Sequence, residues 1–425
     1  MSGKKKSIAR DQPVDLKREQ MTCGSGIRYI IDGLKVIKQV VISEFSHLFS
    51  DFGILIFFIG VQIIYPIVYP IPFYHQHVRE LPVAAVDFDN SALSRQLLRM
   101  ADASETIHIT EHSRSLDEAK NKFYAEEVRG VVVIPKDFSR NVQRGERANV
   151  AVYTDASFFL VYKQVFTGFF QSISTLSAGI ELKKLMAKGA SRQQSVVMRD
   201  PVPLESVPLY NSNSGYGSYI VPVVLIIILQ QTLLIGLGML GGTIAERKSY
   251  HFMIPEFDNC HRIVPVILGK ALTYFLFYSV HVFYFFGVLF KVYGYPHHAS
   301  ILSIYLYFVP FLLSVIFLSI ALSTFFRSRE SSVMILLCTS IVFIMLSGFA
   351  WPSVSMPGWM RAFSLIIPST SAIRGFLKLN MMDASFADVL YDWGILWLLT
   401  LAYFVFSFTA LRRIIGKKKK SPMFE

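Results

Sequence analysis

Between Ala245 and Ala271 the sequence reads Glu246-Arg247-Lys248-Ser249-Tyr250-His251-Phe252-Met253-Ile254-Pro255-Glu256-Phe257-Asp258-Asn259-Cys260-His261-Arg262-Ile263-Val264-Pro265-Val266-Ile267-Leu268-Gly269-Lys270. This charged island separates two apolar runs, Ser206–Ala245 and Ala271–Phe290, neither of which contains Asp, Glu, Lys or Arg. A bilayer core about 30 Å thick is crossed by roughly 20 apolar residues in a helix. Both flanks are long enough to span, so the island is expected at a membrane face.

Outward from the island, further charge-free runs occupy Phe52–Val78, Val292–Phe326, Ser331–Met360 and Trp393–Leu411. Six runs of this kind are the pattern of a polytopic membrane protein and not of a soluble domain. The net charge of +12 is gathered in Lys4-Lys5-Lys6, Lys17-Arg18, Arg327, Arg329, Arg412-Arg413 and Lys417 to Lys420. These are chain ends and a short loop between spans, where the positive-inside bias is seen and where anionic headgroups attract cations. That placement argues against nucleic acid as a partner. The three cysteines, Cys23, Cys260 and Cys338, have no metal-binding or redox spacing.

Residues 79–205 are nearly neutral and change character. Leu81–Val86 is a candidate strand closed by the turn-and-cap cluster Asp87-Phe88-Asp89-Asn90. Ser91–Ala101 reads as a helix, Thr106–Thr110 as a strand, Ser115–Glu126 as a helix and Arg129–Ile134 as a strand. Pro135–Arg144 follows as a helix opened by proline, and Asn149–Thr154 as a strand. Alternating strands and helices indicate an α/β domain. Gln164–Ile180 is also charge-free, but its Gln, Ser and Thr side chains are costly in lipid. A seventh span would also put the two basic ends on opposite sides, so this stretch is expected as a helix outside the bilayer.

The fold class expected is therefore an α-helical polytopic membrane protein of six transmembrane helices with an inserted extracytoplasmic α/β domain. Residues 1–26 are read as a cytoplasmic tail, 27–49 as an amphipathic interfacial helix, 50–72 as the first transmembrane helix and 73–217 as the extracytoplasmic domain. A five-helix transmembrane region is assigned to 218–412, with a coupling loop at 243–262 and outer half-helices at 351–380, before a basic cytoplasmic tail at 413–425. The half-helices are inferred because Ser347–Pro368 is too apolar for a loop and too broken by Pro and Gly for a span. Both termini inside a bacterial cytoplasmic (inner) membrane complete the topology.

Several segments together resemble the transmembrane subunit of an ABC type-2 exporter, of the subgroup with a large extracytoplasmic domain after the first span. They are Val83-Ala84-Ala85-Val86-Asp87-Phe88-Asp89-Asn90-Ser91-Ala92-Leu93-Ser94, Gly130-Val131-Val132-Val133-Ile134-Pro135-Lys136-Asp137-Phe138-Ser139, and Leu209-Tyr210-Asn211. Glu246-Arg247 with Gly269-Lys270, and Ser347-Gly348-Phe349 with Met356-Pro357 and Pro368, complete the set. The resemblance implies a dimer of permeases, identical or sister copies, docked on cytoplasmic ABC ATPase subunits through a coupling helix in the island. Where the family usually reads Glu-Arg-Glu followed by Gly-Thr, this chain has Glu246-Arg247-Lys248-Ser249-Tyr250-His251. A heterodimer in which a sister subunit keeps the usual motif accommodates that difference.

The chain has no Walker A loop: Gly269-Lys270 lacks the upstream glycine, and 236–243 lacks the lysine. It is thus expected to be a permease and not an enzyme, with no cofactor of its own and with ATP and Mg on the partner ATPase. Glu246, Arg247 and Lys248 are the expected gripping residues of the coupling site, and Tyr250, Phe252 and Phe257 its wedges. Trp351, Pro352, Met356, Pro357, Trp359 and Arg361 form either an outer gate or an interfacial anchor. Gly236, Gly238, Gly241 and Gly242 permit close helix approach, at a subunit seam or within one subunit. His281 is left between a functional group and a neutral hydrogen-bonded histidine, and the His297-His298 pair is too sparse to assign a metal.

Export of a hydrophobic or amphipathic compound, drug-like or lipid-like, is the expected function. Membrane lipids and a periplasmic adaptor protein are further expected partners. The competing reading is a membrane-tethered scaffold or sensor whose outer domain recruits an envelope partner.

Overall fold

The apolar run at Leu81–Asp87 becomes the central strand of a small mixed sheet because both of its faces find cover. The computed structural model describes residues 26–74, 76–211, 215–247 and 263–420. Within it, β1 (Leu81–Asp87) lies between β2 (Ile107–His112) and β3 (Gly130–Ile134), parallel to both. β4 (Ala151–Thr154) adds antiparallel to β3, giving the order β2-β1-β3-β4. Val83 and Ala85 point into one apolar cluster and Ala84 and Val86 into another. A strand covered on both faces reads as a continuous apolar run instead of an alternating one.

The helices at Ala92–Asp102, Phe138–Arg144 and Phe159–Ala187 contribute Leu97, Phe138, Val165 and Phe169 to the first cluster. The helix at Leu116–Tyr124 contributes Ala119 to the second. The stretch Gln164–Ile180 is therefore part of the helix that closes this α/β core. Its polar residues are explained: Ser172 bonds back to the carbonyl of Gly168 at 2.8 Å, and Thr175 to that of Gln171 at 2.7 Å.

The turn after β1 works as its composition suggests. Asp87 Oδ1 accepts the N–H groups of Asp89 and Asn90, both at 3.0 Å, and its Oδ2 accepts the Ser94 hydroxyl at 2.6 Å. Ser91 then caps the following helix in a capping box with Ser94. One local expectation moves. The helix read as opening at Pro135 begins at Phe138, because Pro135–Asp137 is a turn in which Asp137 takes a left-handed φ of 65°.

Among the described residues, those within 68–221 form one compact unit, and those within 26–67 and 222–420 form the other. Among the described residues, six helices are long and apolar enough to cross a membrane: Phe52–Phe73, Tyr216–Glu246, Ile263–Val292, Ile301–Ser323, Arg329–Leu346 and Phe386–Ile414. The second is central in its bundle, with 83% of its most apolar stretch buried. The fifth is peripheral, with 17% buried.

Glycines decide how closely that central helix is packed. A Cβ at Gly236 would run into the Phe58 ring, and one at Gly241 into the carbonyl of Ser323. Both glycines are thus spent on packing within the chain. The broken apolar stretch after the fifth span holds a short helix at Gly358–Ser364 and a longer one at Pro368–Met381.

Candidate functional site

The first helix, Gly26–Ser50, turns one stripe inward: Val36, Val40, Glu44 and Leu48, at a spacing of four residues, are each 2–3% exposed. Ile31, Leu34 and Ile42 point the other way and are exposed. The inward stripe lies on the third span, where Val266 closes a cluster with Val36 and Val40. Gly269 makes this approach possible, since a Cβ there would meet the Val40 side chain at 2.8 Å.

Glu44 is the polar member of the stripe. Its carboxylate pairs with the Lys270 ammonium and accepts the Tyr274 hydroxyl at 2.7 Å. The Glu44 and Lys270 side chains are 3% and 7% exposed. A buried ion pair is costly to break from one side only, so this pair fastens the first helix to the third span.

A second tie lies at the start of the first span. Asp51 caps it, accepting the N–H of Gly53 at 2.9 Å and of Ile54 at 3.2 Å. The same carboxylate receives the Arg329 guanidinium in a two-pronged contact, 2.7 Å to Oδ2 and 2.8 Å to Oδ1. This geometry is stronger and more directional than a point-charge contact. Gly53 leaves room for the guanidinium, which a Cβ would strike. The Arg329 hydrogen bond, first among several causes, holds the Asp51 carboxyl below its ordinary value. Glu246 completes the tie by accepting the Arg329 backbone N–H at 2.9 Å, at the open N-terminus of the fifth span.

Asp51, Arg329 and Glu246 therefore join the ends of the first, fifth and second spans. Asp51 and Glu44 also line a cavity of about 80 Å³, with His47, Thr243 and Arg247 among the other lining residues.

Among the sequence-predicted coupling residues, Glu246 spends its carboxylate inside the chain, and Arg247 lines this cavity beside it. Lys248, Tyr250, Phe252 and Phe257 lie outside the described residues. Of the six residues of the outer set, five are exposed and one is buried. Trp351 and Trp359 are 61% and 71% exposed, Pro352, Pro357 and Arg361 are exposed, and Met356 alone is buried.

His281 bonds the carbonyl of Phe277 on its own helix at 3.0 Å, and His297 bonds Asn380 at 3.1 Å. Sequence reasoning missed Glu44 and Lys270 as a pair. The available signal was a lysine seven positions inside an apolar run that begins at Ile263.

The match to the family model for ABC-2 family transporter proteins covers residues 52–409, taking in five of the candidate spans, most of the sixth and the inserted sheet. The chain belongs to the ABC-2 transporter family. It is thus a multi-pass, permease-type transporter subunit. Two curated relatives, described as probable multidrug ABC transporter permease YbhS from Escherichia coli K12 and from E. coli O157:H7, are each 25% identical over 256 residues. Those matches cover 58% of this chain and 63% of each relative, so the chain spans less than two thirds of their length.

Proposed function

We propose that this chain is the permease of an ATP-driven exporter that moves a hydrophobic or amphipathic compound out of the cytoplasm or inner leaflet. A separate ATPase subunit binds ATP and Mg and hydrolyses the nucleotide, and an identical or sister permease completes the pathway. The distribution of Lys and Arg supports a bacterial inner-membrane topology with both termini in the cytosol. In that topology the α/β unit and residues 351–380 lie outside, and the loop 243–262 lies inside as the coupling element. A periplasmic adaptor is a natural partner for the outer unit. The relatives' description as multidrug permeases supports a drug-like cargo.

The observation that carries this reading is the pair of ties flanking the loop. The segment entering it, ending at Glu246, is bonded to Arg329 and through it to Asp51. The segment leaving it, beginning at Ile263, carries Lys270 and its grip on Glu44. A push on the loop by an ATPase is thus delivered to the first helix and to the first, second, third and fifth spans.

Because Glu246 also holds the fifth span, the discriminating variant is Lys248→Ala with Tyr250→Ala and Phe257→Ala. In proteoliposomes containing the ATPase, these changes should leave membrane insertion intact and lower the amount of N-phenyl-1-naphthylamine exported per ATP hydrolysed. Unchanged export per ATP would reject the loop as the coupling element.

A further inference from the structure

The helix Pro368–Met381 begins deep inside its bundle, and its first turn is rich in hydroxyls that have nothing to bond. Gln230, at the middle of the central span, reaches this turn: its Oε1 accepts the Ser369 backbone N–H at 2.9 Å. That bond fixes the amide Nε2 of Gln230 at the mouth of the helix. Gln230, Ser369 and Ser371 are 0% exposed and Thr370 is 3% exposed. Yet Gln230 Nε2, Ser369 Oγ, Thr370 Oγ1 and Ser371 Oγ have no hydrogen-bond partner among the described residues. Buried polar groups are almost always paired. Four orphans on one helical turn and the side chain that caps it mark a place built for something else.

The chemistry of that occupant follows from the sign of the site. All four orphans can donate. The start of a 14-residue helix adds the positive end of its dipole. No Asp or Glu occurs from Arg361 to Met382. One and two turns further on, Arg374 and Lys378 share the single carboxylate of Asp392, at 2.7 and 3.0 Å, which leaves a surplus positive charge on the same helix. Arg374 Nε is likewise buried without a partner. The hydroxyls can accept as well as donate, but the Gln230 amide Nε2 can only donate, and beside the positive end of the helix an acceptor with negative charge suits the site better than a cation.

We propose that the first turn of this half-helix, with Gln230, is a subsite for the anionic group of the transported compound, a sulfonate, carboxylate or phosphate on an otherwise apolar body. The inference rests on the reading of the chain as an exporter permease and specifies its cargo.

The test uses the full chain in lipid nanodiscs, without the ATPase, and two probes that share one ring system: 1-anilinonaphthalene-8-sulfonate and the uncharged N-phenyl-1-naphthylamine. Binding is read by fluorescence titration against empty nanodiscs. The wild type should prefer the sulfonate. Gln230→Leu and, separately, the near-isosteric Ser371→Ala should weaken the sulfonate about tenfold and move the neutral probe by less than about twofold. Equal wild-type affinity for both probes would mean that water alone fills the site, and would overturn the proposal. So would an equal loss of both probes in both variants, which is a packing effect. Export of the neutral probe with the ATPase present is measured apart. Its failure would count against the exporter reading and leave the sulfonate preference to stand or fall by itself.

Discussion

Replacing Lys270 with methionine removes the cation from a carboxylate that has almost no access to water. Lys270 lies about 10 Å along the third span from its start at Ile263, taking 1.5 Å per residue. The Glu44 side chain is 3% exposed, and with Lys270 gone its carboxylate keeps the Tyr274 hydroxyl at 2.7 Å. Breaking a buried pair from one side costs about 3–5 kcal/mol, whereas replacing both partners by well-fitting neutral groups is often neutral or better.

Lys270→Met should therefore lower the melting temperature in nanodiscs, followed by tryptophan fluorescence, by several degrees. Glu44→Gln combined with Lys270→Met should recover most of that loss, since glutamine still accepts the Tyr274 hydroxyl. Export per ATP should stay low in both variants if the ionic grip transmits force, and should recover with stability if it only holds the helix in place. A single variant that melts like the wild type would show the carboxylate to be hydrated. A double variant no better than the single would show that packing, not charge, carries the cost. Either result would refute the account of this pair.

Gly241→Ala drives a methyl group into the Ser323 carbonyl, a backbone atom that cannot swing aside. The expected loss is about 1–3 kcal/mol, visible as a lower melting temperature. Gly179→Ala, where a Cβ meets nothing within 4 Å, should be neutral or stabilising and serves as the control. The Asp51 tie has a pH signature. Because its carboxyl is depressed in the folded chain, its contribution is fully present above the unfolded value near 3.8 and is lost as pH falls through the folded value. The melting gap between wild type and Arg329→Met should thus be constant from about pH 5 to 8 and shrink below about pH 4. A gap that instead changed between pH 6 and 8 would point to a different titrating group.

Local and one-dimensional features were legible in the sequence. The absence of charge over span-length runs located the six membrane helices, because lipid imposes length and apolarity on each helix separately. The strands and helices of 81–154 followed from turn residues and apolar runs, since the Asp87–Ser94 turn satisfies itself within a few residues. The polar residues of 164–180 kept that helix out of the count of spans, and among the described residues it is not one of the six long apolar helices but packs on the sheet.

What the sequence left open is which distant residues meet. Glu44 fell within the amphipathic stretch 27–49 with nothing to set it apart, and Lys270 closed a charged island. Only the docking of the first helix on the third span buries them against each other. Glu246 read as a gripping residue of the coupling site, and only the fifth span brings the Arg329 N–H to its carboxylate. The glycines of the second span were equally consistent with a seam between subunits and with packing inside one. Phe58 and Ser323, more than a hundred residues from each other along the chain, decide for the latter. Hydrophobic periodicity is a property of one helix, whereas charge pairing and close approach are properties of two, and the second helix is named only by the tertiary fold.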